Sequence, residues 1–158
     1  MRLISFPAFA LLALAVAPAH ADERTILKVR QEAPVLVTVD VGQPGASHGD
    51  ILAFEAAIAR EDGKAGTLRG MLTTVDIPDG DDLLEDRVGQ LVFDLGDGDM
   101  LVVAGTSVYP SGGVEMAVDA GQVRAVIGGT GAFIGARGQV TTIRAADGHY
   151  DHSFELVD

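Results

Sequence analysis

The chain is predicted to be all-β, a single eight-stranded antiparallel closed β-barrel. Three observations carry this expectation. An apolar–polar alternation of period two runs through most of the sequence, turn residues punctuate it at short spacing, and glycines recur inside the alternating runs. No stretch carries a convincing helical stripe.

The first segment reads as a leader. Met1-Arg2 gives a short basic start, Leu3 to Pro18 an apolar core, and Ala19-His20-Ala21 a small-x-small cleavage signal, which predicts a signal peptide over 1–21 and a mature start at Asp22. The apolar run is shorter than the roughly 20 residues a spanning helix needs, and Pro7 interrupts it. An exported protein, periplasmic or secreted, with no membrane insertion after cleavage, is the expectation. Of the 158 residues, the 137 that follow residue 21 suit one domain over 22–158.

Composition narrows the function classes. Removing Arg2 leaves 10 basic against 23 acidic residues, a net charge of −13. Nucleic acid and anionic membranes both call for a basic patch, so neither is expected as a partner. With no cysteine there is no disulfide, no thiol nucleophile and no thiolate metal ligand.

The strand-like runs are Thr25–Val41 (bent near Pro34), Ile51–Arg60, Ala65–Ile77, Arg87–Leu95, Met100–Tyr109, Gln122–Ile127, Ala136–Ala145 and His149–Val157. Turn chemistry separates them at Asp62-Gly63, Pro78-Asp79-Gly80, Gly96-Asp97-Gly98, Ser111-Gly112-Gly113 and Asp147-Gly148. The alanines of Ile51–Ala59 would suit a short helix, but the flanking turns favour a strand. Asp76–Arg87 reads as an acidic loop. Closing the sheet removes its edges, and eight strands enclose room for side chains or one small ligand. Gly66, Gly70, Gly89, Gly105, Gly128 and Gly129 then provide the bulges and close approaches that a tightly coiled barrel needs.

Val126-Ile127-Gly128-Gly129-Thr130-Gly131 could instead be a phosphate cradle. The spacing from Gly129 to Gly135 is G-x-G-x-x-x-G, one residue too long for the dinucleotide fingerprint. The β-branched run Gln139–Arg144 that follows is strand-like, and only 20 residues remain after Gly138. A barrel corner is the expected role.

Several of these pieces, in order, resemble the dirigent and allene oxide cyclase superfamily of small barrels. They are Gly49-Asp50 with Phe54, the glycines of Ala65-Gly66-Thr67-Leu68-Arg69-Gly70, Val92-Phe93-Asp94-Leu95, then Leu101 and Gly105. Most specific is Val126 to Phe133 followed by Ala136-Arg137-Gly138, close to the dirigent Val-Val-Gly-Gly-Thr-Gly-x-Phe-x-x-Ala-Arg-Gly signature. The resemblance spans Gly49 to Leu156. It implies an eight-stranded barrel whose lumen holds a small hydrophobic molecule, assembly as a homo-oligomer (a trimer in that family), and cyclisation or stereoselective coupling of the bound molecule without a metal or organic cofactor. Leu72 and Ala56 stand where the plant cyclases carry Cys and Asn, so the resemblance carries the scaffold rather than those two groups. A barrel that binds or carries its ligand without chemistry is the alternative.

Candidate site residues follow from alternation and from the resemblance. Glu55 shares a face with Ala53 and Ala57, where apolar neighbours would raise its pKa for acid or base work; the opposite phase makes that face solvent and Phe54, Ala56 and Ile58 core. Arg137, inside the family signature, and Arg69 could each hold a carboxylate or a developing anion, or pair with surface acids. Glu55 and Arg137 are the candidate catalytic residues. Arg69, Tyr109, Tyr150, His152 and Phe154 are the candidate ligand-binding residues, with Ser107 sharing the face of Tyr109 and no base in view to activate it. His149 and His152 point to opposite faces of a strand and cannot chelate together. Asp94, Asp97 and Asp99 mimic calcium spacing but lack the distal glutamate. No metal site is expected.

Overall fold

A computed structural model describes residues 24–42, 44–77 and 83–157. The expected signal peptide and the centre of the acidic loop lie outside the described residues.

The structure is a closed antiparallel barrel. Its strands are β1 (Arg24–Gln31), β2 (Val35–Val39), β3 (Ile51–Arg60), β4 (Ala65–Asp76), β5 (Leu84–Asp94), β6 (Met100–Pro110), β7 (Gln122–Thr130), β8 (Arg137–Arg144) and β9 (Tyr150–Val157). Nine segments make eight staves because β1 and β2 are one strand bent at residues 32–34. Pro34 lacks the N–H a continuous ladder would use there. Val35–Val39 pair with Ile51–Glu55, and Val29–Gln31 pair with Ile58–Arg60 further along the same β3. The other edge of β1 pairs along its length with β9, which closes the ring. The Ile51–Arg60 run is indeed a strand.

All strand connections fall at one of two ends. The turns β3–β4, β5–β6 and β7–β8 cluster at one end; the β2–β3, β4–β5, β6–β7 and β8–β9 connections lie at the other. The first end is packed solid. Leu68, Phe93, Leu101, Val103, Val126, Val140 and Phe154 meet there, and Phe93 and Phe154 stack edge to face with centroids 4.9 Å apart. Burying each of these large side chains contributes roughly 1.5–3 kcal/mol.

The glycine cluster builds the β7–β8 corner at this closed end. Gly131–Phe133 form a single 3-10 turn between β7 and β8, not the start of a helix that could face a phosphate. Gly129 is needed because a Cβ there would lie 2.6 Å from the carbonyl oxygens of both Met100 and Phe133; Gly131 is needed for its φ of +60°. Gly128 has open space around it, so only part of the cluster is constrained. Asp97 sits at φ +57° in the β5–β6 hairpin, where Leu95 N–H donates to Asp99 O at 2.9 Å; a tight turn explains the acidic spacing.

Two boundaries differ from expectation. β7 runs on to Thr130, with a bulge at Ile127 opposite Val102-Val103. β5 begins at Leu84 rather than Arg87, so Glu85, assigned to the acidic loop, is a strand residue facing inward.

Candidate functional site

Alternation turns one residue in two into the barrel, and at the open end many of those residues are polar, beside the buried Leu52, Leu72, Tyr109 and Tyr150. Gln31, Thr74, Glu85, Arg87, Ser107, Arg124, Thr142 and His152 are all buried. They lie at the ends of β1, β4, β6 and β8 and at the starts of β5, β7 and β9, the same end of an antiparallel barrel. The lumen is therefore apolar below and polar above.

Between the halves is a half-open cavity of about 40 Å³ lined by Leu36, Leu52, Phe54, Leu72, Tyr109, Arg124, Tyr150 and His152 among others. Phe54 has room because a Cβ at the facing Gly70 would overlap its ring. Met116 and Val114, from the β6–β7 connection, close the cavity from outside. A second chamber of about 270 Å³ shares Leu52 and Val114 with it and is lined by Asp40, Asp50, Thr74, Glu85 and Arg87.

The polar groups are held in fixed roles. His152 sits edge-on to Phe93, with ring centroids 4.9 Å apart. Its Nε2 lies 2.9 Å from Gln31 Oε1 and its Nδ1 2.9 Å from Thr142 Oγ1. Because the Gln31 oxygen can only accept, the ring proton sits on Nε2, and Nδ1 accepts from the threonine hydroxyl. Burial, reinforced by the positive charge of Arg124, pushes the imidazole down to about 3. His152 is thus neutral and fully engaged. Tyr150 is pushed up to about 12, chiefly by burial and then by Glu115, so its hydroxyl stays protonated.

Arg124 is 4% exposed and donates from Nε to Ser107 Oγ at 3.0 Å, with a second, shorter bond from Nη2 to the same oxygen. Burial lowers its pKa from the usual arginine value, while Tyr109 beside it acts to raise it. Arg87 is different. It ion-pairs with the buried Glu85, donates to Gly113 O at 2.6 Å, and lies 4.4 Å over the Tyr109 ring. Glu85 also accepts from Gly112 N at 3.3 Å, so this pair fastens the β6–β7 connection across the mouth. Arg144 to Glu115, at 2.7 Å, fastens it again.

The candidate residues divide in two. Tyr109, Tyr150 and His152 come together around the cavity, and Phe154 lies beneath them in the apolar floor. Alternation places Glu55, Arg69 and Arg137 on the outer surface instead. There Arg69 Nε bonds Glu55 Oε2 at 2.8 Å across β3–β4, and Arg69 Nη1 approaches Asp94 at 3.8 Å, an exposed pairing far from the lumen. His149 faces Glu32 at 2.7 Å, and among the described residues no group of three or more His, Cys, Asp or Glu is arranged to hold a metal ion. Arg124, Gln31, Thr142, Glu85 and Arg87 escape the sequence reading. Their one signal is polar residues recurring at every second position between apolar ones, as in Val123-Arg124-Ala125.

A neutral, doubly bonded imidazole and a serine engaged by an arginine do not form a nucleophile–base pair. What the lumen offers is apolar walls, oriented donors and a buried positive charge. The chemistry open to such an arrangement is binding and orienting a small molecule and stabilising negative charge on it.

No protein-family model matches the sequence, and no curated protein matches it. Solved structures do match the fold. Pyocyanin demethylase is 20% identical, covers 85% of this chain and 100% of its own, and superposes with a TM-score of 0.62. A Diels–Alderase from Streptomyces koyangensis is 14% identical over 89% of this chain and 71% of its own, with a TM-score of 0.58. A pterocarpan synthase dirigent protein is 18% identical over 89% and 87%, with a TM-score of 0.57. Fold and site define a small closed β-barrel with a polar-mouthed lumen, and the likeness to these solved structures is one of fold.

Proposed function

We propose that this protein binds a small hydrophobic molecule in its lumen and directs that molecule's cyclisation or stereoselective coupling. The observation that carries the reading is the largely apolar lumenal cavity onto which Tyr109, Arg124, Tyr150 and Gln31 converge. Holding a reactive chain in one folded conformation converts binding geometry into rate and selectivity, with no acid–base pair required. The similar barrels supply the chemical precedent: by their names, one is a Diels–Alderase and one a dirigent pterocarpan synthase. Ligand pockets span roughly 300–1,000 Å³, so a substrate occupies the inner cavity and the outer chamber together by displacing Val114 and Met116.

The setting proposed is outside the cytoplasm after cleavage at Ala21, in a homo-oligomer, with a trimer as the expected assembly. Val35, Val37 and Val39 on β2, Met71 on β4 and Val88 on β5 support an assembly, because all are exposed on neighbouring strands of one outer face.

The test is product distribution from unsaturated lipid epoxides and from phenolic radicals, with and without the protein. Altered product ratios that vanish in Leu72→Trp, which fills the lumen, support the reading. Demonstrable binding with unchanged products favours a carrier instead. The occupied state of both His152 nitrogens is the observation on the carrier's side.

A further inference from the structure

Arg124 is a buried cation without an anion. Among the described residues no carboxylate lies within ion-pairing distance of it, although the chain has 23 acidic residues and the other buried arginine, Arg87, has Glu85 as partner. It donates to neutral oxygens, twice to Ser107 Oγ and also to the Tyr109 hydroxyl. Leaving a guanidinium uncompensated in a low-dielectric interior is costly, and replacing such a group with an apolar one of similar size is often stabilising. An arginine kept in that state, lining a cavity, is arranged for a negative charge that arrives from outside.

The surroundings specify what that charge is. Arg124 lies on the cavity wall with the Tyr109 and Tyr150 rings; Gln31, Thr142 and His152 are its neutral polar part, and Leu36, Leu52, Phe54, Leu72 and Leu91 its apolar part. Gln31 gives its oxygen to His152, which leaves its amide N–H groups as the donors on that side. His152 is neutral and adds no charge to the site. One monovalent oxyanion is matched by one guanidinium and neutral donors; a phosphate's second charge is not.

Resting on the lumenal-binding reading, we infer that the ligand is an apolar molecule bearing a single carboxylate or phenolate, which Arg124 receives inside the barrel. The apolar body fills the space toward Phe54 and Met116, and the anion sits against the β6–β7 wall. Arg124 thereby sets the end-to-end orientation of the ligand, a requirement for any stereoselective outcome.

The matched pair 2-naphthoate and 2-naphthalenemethanol tests this, titrated into the purified protein by calorimetry at neutral pH and moderate salt. A charge-assisted contact in a buried site should make the acid bind about tenfold to a hundredfold more tightly than the alcohol. Arg124→Met should erase that preference and Arg124→Lys should keep part of it. A thermal melt of each variant verifies folding, and Arg124→Met should melt at or above the wild-type temperature. Equal binding of the two probes by the wild type overturns the inference alone, as does a preference that survives in Arg124→Met. Binding of neither probe overturns the inference together with the lumenal reading.

Discussion

Gly128 and Gly129 are neighbours with the same substitution available and opposite structural consequences. In Gly129→Ala the new methyl would stand 2.6 Å from Met100 O and from Phe133 O, where ordinary contact begins near 3.4 Å. Both obstacles are backbone, one on the paired strand and one in the corner turn, so each must retreat by about 0.8 Å or the strand must shift. The second retreat strains the bond from Ala136 N to Phe133 O, now 3.0 Å, that closes the corner. Overpacking of this kind costs about 1–3 kcal/mol. Both variants also gain about 0.4–1 kcal/mol from a stiffer unfolded chain. That gain cancels between them, because the two positions are adjacent in the same unfolded state. The gap between the variants is therefore the overpacking alone, about 1–3 kcal/mol, with Gly128→Ala at or above wild-type stability. Urea denaturation with an unchanged slope measures it, and a slope near 2 kcal/mol/M places the midpoints roughly 0.5–1.5 M apart. Coincident midpoints, or Gly128→Ala as the weaker variant, would refute the corner geometry.

Glu85→Gln should destabilise the protein by about 3–5 kcal/mol by stranding Arg87 as a buried cation, and adding Arg87→Met should recover most of the loss in a thermal melt. His152 binds its proton near pH 6.5 when unfolded and only near 3 when folded, so between those values the unfolded state holds more protons and stability falls as pH falls. From pH 7 to pH 5 that amounts to about 2 kcal/mol, and the wild type should lose this much more than His152→Gln over the same interval in urea titrations. Light scattering of the wild type at micromolar concentration should give a mass above one chain. Val37→Lys with Met71→Lys, on the exposed apolar face, should return it to a monomer; a monomeric wild type would count against the assembly.

The strand plan is legible in the sequence because a half-buried strand must alternate, and alternation survives whatever the two faces contact. Which face turns inward is another matter. Over the closed half of the barrel the ordinary rule holds, as in Leu91, Phe93, Leu101 and Val103, which are all buried. At the open end the rule inverts at the starts of β5 and β7. Leu84 and Val88 are exposed while Glu85 and Arg87 between them are buried, and Val123 is exposed beside buried Arg124. Period two reports the spacing without the phase, so the acidic run before Arg87 reads as a loop and Arg124 reads as surface. His152, Tyr150 and Tyr109 are legible because each shares its alternate positions with aromatic or aliphatic residues that belong to any core. Glu55, with small apolar neighbours on one face and large ones on the other, leaves the choice open, and the larger face, with Ala56 and Ile58, wins the interior.

The division of the barrel into a solid half and a polar half separates two kinds of selective pressure. Residues that keep the chain folded sit around Phe93 and Phe154, whose neighbouring amides should exchange with solvent only on global opening. Residues that line the cavity sit at the far strand ends, under a connection fastened by a few ion pairs, where opening is local and cheap. Mutational drift in the upper tier can alter what the cavity accepts while leaving the lower tier to hold the shape. A scaffold partitioned in this way is free to change its chemistry without first having to survive a change of fold.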